Sequence, residues 1–123
     1  MNLVDSSGWI EYFSDGKNAG FFAGPILNEK VPLIIPTIIL YEVFKKILNE
    51  RGEETALQII AQLDRFQTVP LDETLALEAA RISHEMKISM ADSVIWATAL
   101  RFNATLWTAD EHFKPFPDVK YVS

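Results

Sequence analysis

The stretch from Ser89 to Asp110 reads SMADSVIWATALRFNATLWTAD. Ser89 precedes Asp92 by three residues, the spacing of a capping box at a helix start. From Val94 to Phe102 the residues are almost wholly apolar, with Thr98 and Arg101 the exceptions. A helix apolar all round packs on most of its sides, so this one is expected at the centre of the fold. Ala104 to Trp107 then reads as a strand, and Asp110 opens a brief helical turn.

Working outward, Asn2-Leu3-Val4 is a short buried strand, and Asp5-Ser6-Ser7 offers N-caps for a helix through Trp9 and Phe13. A second helical stretch is expected between Asn18 and Asn28, weakened by Gly20, Gly24 and Pro25. Leu33-Ile34-Ile35 is a continuous apolar run, as in a strand covered on both faces. Thr37 is the expected cap of a helix that continues to Arg51 and stops at Gly52. Residues 53–66 carry apolar groups at helical spacing, and Thr68-Val69 is a short strand. Asp72 caps a long helix with Leu75, Ala79, Ile82 and Met86 on one face. Val119 to Val122 closes the chain as an edge strand. Strands alternating with helices imply a mostly parallel sheet of four to five short strands, an α/β sandwich with right-handed crossovers. Residues 1–123 are expected to form a single domain.

Composition narrows the chemistry. The chain has no cysteine, which excludes disulfides, a thiol nucleophile and cysteine-bound zinc. With only His84 and His112, a histidine-rich zinc site is also disfavoured, so protein ligands to a metal should be mostly carboxylates. The net charge of −6 argues against binding nucleic acid by phosphate neutralisation alone. Asp5 comes too early for a signal peptide, and the apolar run Val31 to Tyr41 is short and broken by Pro32 and Pro36. A soluble, cytoplasmic protein is expected.

In a parallel sheet, functional groups gather beyond the carboxyl ends of the strands. Asp5 ends the first strand, Asp110 follows the Ala104–Trp107 strand, Glu42 lies a turn into the helix after Leu33–Ile35, and Asp92 opens the central helix. Singly, each has a structural explanation. Asp5, Asp92 and Asp110 can be helix caps, and Glu42 can pair with Lys46 four residues on. Together they fall on one sheet edge. Two such charges 4 Å apart repel by ~4 kcal/mol at an effective dielectric near 20, a cost that protons or divalent cations remove.

The segments Leu3-Val4-Asp5-Ser6-Ser7, Tyr41-Glu42-Val43, Ala91-Asp92-Ser93-Val94-Ile95-Trp96-Ala97-Thr98-Ala99 and Thr105-Leu106-Trp107-Thr108-Ala109-Asp110-Glu111-His112-Phe113 resemble a PIN domain, and more narrowly the VapC-type ribonuclease toxins of toxin–antitoxin pairs. The resemblance runs from about residue 2 to residue 122 and implies a three-layer sandwich with the sheet in the middle. It implies that Asp5, Glu42, Asp92 and Asp110 are a catalytic quartet holding one or two Mg²⁺ or Mn²⁺ ions. Asp110 is the member expected to act through water. The implied reaction is hydrolysis of an RNA phosphodiester by metal-activated water, leaving a 5′-phosphate and a 3′-hydroxyl. Ser6 and Thr108 take supporting roles, positioning water or a carboxylate. A VapB-like antitoxin and a second copy of the chain are the implied partners.

Other residues keep two readings. Lys45 and Lys46 can meet RNA phosphates at the rim or form a solvated helix face. His112 is better read as a surface turn residue and His84 as a surface or boundary one. The aromatics Trp9, Tyr12, Phe13, Phe21 and Phe22 are expected partly in the core and partly at an interface. Rival functions are an inactive PIN domain used as an interaction module, and a PIN nuclease that is not a toxin. A phospho-accepting receiver domain would need an acidic pair after the first strand, where this chain has Asp5 followed by two serines. Setting the four acids aside leaves 13 acidic against 11 basic residues, so most of the charge imbalance is the proposed site itself.

Overall fold

Strand β1 (Asn2–Val4) is buried along its whole length, as a strand in the middle of a doubly covered sheet must be. The computed structural model describes residues 1–123 and runs β1, α1 (Ser6–Phe13), α2 (Ala19–Leu27), β2 (Leu33–Pro36), α3 (Thr37–Arg51), α4 (Glu53–Leu63), β3 (Gln67–Val69), α5 (Glu73–Met86), α6 (Met90–Arg101), β4 (Thr105–Thr108), a 3-10 turn (Glu111–Phe113) and β5 (Val119–Tyr121). The five strands form one sheet in the order β3-β2-β1-β4-β5. Every pairing is parallel, with Leu3 opposite Ile34 on one side and Leu106 on the other.

The chain walks outward from β1 to β3, then returns past β1 to β4. Right-handed crossovers therefore put α1–α4 on one face and α5–α6 on the other. Packing agrees: Trp9 of α1 lies 5.6 Å from Phe66, just after α4, whereas Trp96 of α6 meets Phe116 at 4.9 Å. The result is three layers around a cluster of 25 buried apolar residues, each large side chain contributing about 1.5–3 kcal/mol by leaving water. The walk reverses between β1 and β4. At such a switch point the flanking loops part and leave a crevice.

Several local expectations change. Thr37 is not a cap: Pro36 ends β2 in extended geometry and hands directly to the helix, with Thr37 as its first residue. Gly52 does end α3, at φ 87°, a backbone conformation side chains disfavour. Residues 64–66 leave helix α4 early and turn into β3. On α5, Leu75 and Ala79 are buried, but Met86 is 41% exposed because the last turn runs beyond the core. Of the five early aromatics, Trp9 and Phe22 are buried and Tyr12, Phe13 and Phe21 pack half-buried against the core, so none stands out as an exposed patch. The strongly exposed apolar side chains are elsewhere, among them Leu27, Tyr41 and Met90. No helix is long and apolar enough to cross a membrane.

Candidate active site

The crevice at the switch point is built from the first residues beyond β1 and β4. Asp5 follows β1 directly and caps α1, accepting the Ser6 N–H at 2.8 Å. Its other oxygen accepts the Ser7 hydroxyl at 2.9 Å and the Thr108 hydroxyl at 2.8 Å. Thr108, the last residue of β4 and fully buried, also accepts the Asp110 N–H at 2.9 Å. Ser7 in turn accepts the Ala109 N–H at 3.2 Å. Two strand ends are thereby tied through one carboxylate.

Asp5 is only 3% exposed. Burial pushes its carboxyl above the ordinary range; the hydroxyls of Thr108 and Ser7 and the Ser6 N–H oppose this, and the Asp110 charge adds to it. Glu42, in the second turn of α3, is raised first by burial and then by the charges of Asp5, Asp92 and Asp110, with the Ser6 hydroxyl opposing. No well-formed hydrogen bond results, and the Glu42 Oε1 is buried without a partner. Asp92 is raised by burial, then by Asp110 and Asp5. Its N–H is capped by the Ser89 Oγ at 3.2 Å, so the expected cap exists and accounts for the backbone, while the carboxylate lines the crevice. Asp110 caps the 3-10 turn and its Oδ1 stands 2.8 Å from His112 Nδ1.

All four predicted acids thus line one cleft of about 720 Å³, together with Ser6, Ser7, Tyr41, Lys45, Lys46 and Asn49. Lys46 does not pair with Glu42; it bridges to Glu50 at 3.1 Å, one turn further on. Lys45 lies over the exposed Tyr41 ring, 5.7 Å from its centroid. Thr108 stands where a supporting hydroxyl was expected. Ser6 contributes mainly its N–H, its hydroxyl lying 3.5 Å from Asp5. Ser7 is the residue the sequence reading missed. His84 is exposed on α5, and His112 is exposed but joined to the acids.

The sequence pattern of the PIN domain matches residues 3–118. This chain belongs to the PIN-domain family. Among solved structures, this PIN domain is similar to a toxin–antitoxin complex from Klebsiella pneumoniae, at 22% identity and a TM-score of 0.76, covering 100% of this chain and 97% of that one. It is similar to VapC20 of Mycobacterium tuberculosis, a sarcin–ricin-loop-cleaving toxin, at 15% identity and TM-score 0.79, covering 97% and 98%. It is also similar to FitAcB of Neisseria gonorrhoeae at 25% identity and TM-score 0.63, covering 100% and 97%. No curated protein matches the sequence.

Within this PIN domain, the acids gather with no lysine or arginine paired to them: the cleft's two lysines are turned to Glu50 and Tyr41, and only the exposed His112 meets Asp110. Three raised carboxyls and one orphaned buried oxygen describe a site short of positive charge. Hard oxygen donors in this number suit Mg²⁺ or Mn²⁺.

Proposed function

We propose that this PIN domain is a divalent-metal-dependent endoribonuclease and the toxin of a VapBC-like pair. The observation that carries the reading is the convergence of Asp5, Glu42, Asp92 and Asp110 on one cleft, with Glu42 Oε1 buried and unpartnered. In this reading the four carboxylates hold one or two Mg²⁺ or Mn²⁺ ions. When bound, the metal activates water for attack on an RNA phosphodiester and offsets charge on the phosphoryl oxygens.

The chain's own groups do the rest. Thr108 and Ser7 occupy one oxygen of Asp5 and hold the carboxylate in one orientation at the cleft wall. Ser89 fixes the first turn of α6 and with it Asp92. Lys45, Lys46 and Asn49, on the α3 wall, can receive phosphates flanking the scissile bond. No histidine base or covalent nucleophile is required.

The antitoxin assignment draws on the company the fold keeps, since the Klebsiella pneumoniae neighbour is a toxin–antitoxin complex and the Rickettsia felis one is VapBC2 bound to promoter DNA. An antitoxin that covers the cleft would quench the activity.

The test is incubation of purified protein with tRNA and rRNA pools in Mn²⁺ or EDTA, followed by end mapping. Cleavage leaving 5′-phosphates is expected in Mn²⁺, absent in EDTA, and at least ~100-fold weaker in Asp92→Asn with the fold intact. Undiminished cleavage by that variant would sink the assignment.

A further inference from the structure

His112, beside two of the cleft acids, carries an imidazole that can offer nitrogen to an ion. An imidazole nitrogen of His112 and one carboxylate oxygen each from Asp92 and Asp110 all lie within 4.8 Å of one another. The Nδ1 stands 2.8 Å from Asp110 Oδ1. Two ligands bonded to one ion at ~2.1 Å, a right angle apart, stand about 3 Å from each other, so this pair already has the spacing of neighbours on a coordination sphere. Two carboxylates and a neutral imidazole also balance a divalent charge. The ring is largely exposed, at 72% of its side chain, which leaves room for water in the remaining positions.

We propose that His112 is a direct metal ligand, making the Asp92–Asp110–His112 end of the cleft a mixed oxygen–nitrogen site that takes a first-row transition ion in preference to Mg²⁺. This rests on the reading of the cleft as a metal site and adds the identity of one ligand and of the preferred ion. The chemistry follows from donor type. Carboxylates alone suit Mg²⁺, Ca²⁺ and Mn²⁺, whereas an imidazole favours later transition ions, whose affinity for nitrogen rises from Mn²⁺ through Co²⁺ to Ni²⁺. Glu42, with its unpartnered oxygen, lines the same cleft and supplies a further hard donor.

The competing account is an exposed Asp110–His112 ion pair with no ligand role, and the test separates the two. Protein loaded with Mn²⁺ is examined by pulsed electron paramagnetic resonance for coupling to nitrogen, as wild type, His112→Ala and His84→Ala. Nitrogen coupling is expected in wild type and in His84→Ala, and its loss in His112→Ala. In parallel, calorimetric titration with Co²⁺ and with Mg²⁺ should show Co²⁺ affinity falling about tenfold or more in His112→Ala, and Mg²⁺ affinity changing less than about twofold. Because His112 is exposed, the variant should keep the wild-type circular dichroism spectrum. Mn²⁺ bound without nitrogen coupling, or equal Co²⁺ affinity in wild type and His112→Ala, overturns the ligand role and leaves the metal-site reading standing. Failure of Mn²⁺, Co²⁺ and Mg²⁺ alike to bind wild-type protein overturns both.

Discussion

The Thr108 hydroxyl donates to the buried Asp5 carboxylate at 2.8 Å, joining residues 103 positions apart in the chain. The same oxygen accepts the Asp110 N–H, so one side chain fixes two of the four acids. Thr108→Val keeps the shape and removes both interactions. Hydrogen bonds to charged groups contribute about 1.5–3 kcal/mol, so urea denaturation should show a loss of that order. Thr108→Ser should recover most of it, and Mn²⁺ affinity should follow the same order.

Glu42→Gln should act in the opposite direction on stability. The variant removes a half-buried charge that faces three others, so the metal-free protein should gain about 0.5–2 kcal/mol. The cost appears in binding: the melting-temperature rise produced by Mn²⁺ in wild type should shrink or vanish. A variant less stable without metal, yet unchanged in its Mn²⁺ response, would refute the mutual-repulsion account.

The pH dependence has a defined sign. Asp5, Glu42 and Asp92 are raised above their ordinary values of 3.8, 4.5 and 3.8. Between the unfolded and the folded values the native state holds more protons than the unfolded one. Stability of the metal-free protein from these groups therefore falls as pH rises through that window, and is greatest below it. Asp72, lowered by its hydrogen bond to Arg101, works the other way but lies at the surface, where solvent screens it. Bound Mn²⁺ should oppose the trend, since protons compete with the metal for the same oxygens. The melting temperature in Mn²⁺ minus that in EDTA, measured across a pH series, should therefore grow as pH rises.

Gly8 marks where α1 presses on the sheet. A Cβ there would lie 2.6 Å from Phe22 and 2.6 Å from Val4, both buried. Gly8→Ala should destabilise by about 1–3 kcal/mol through overpacking, despite the gain in helix propensity. Because Asp5 caps the same helix, cleavage should fall alongside stability, measured by thermal melts and rate on one preparation.

The acids were legible because strand–helix alternation alone puts Asp5, Glu42, Asp92 and Asp110 at one sheet edge, whatever the details of packing. The parallel sheet and the central α6 were legible for the same reason: Val94–Phe102 has no polar face to offer water. What escaped depended on neighbours distant in sequence. Ser7 looks like a second cap candidate until β4 is laid beside β1 and Ala109 comes within reach. Lys46 has Glu42 and Glu50 at equal spacing on either side, and only the fold shows Glu42 lining the cleft while Lys46 bridges to Glu50. Thr37 read as a cap because nothing local shows that Pro36 passes from strand to helix without a break. Met86 fits its helical face by period, yet the core ends a turn before it.

The placement of β1 between β2 and β4 has a consequence for how the protein comes into being. Asp5 is synthesised 103 residues before Thr108, the β4 residue that fixes it. At roughly 5–20 residues per second, Asp5 waits on the order of 5–20 s for its partners. No nascent chain shorter than this can close the cleft. A product truncated or stalled before β4 therefore lacks a closed cleft through its topology alone.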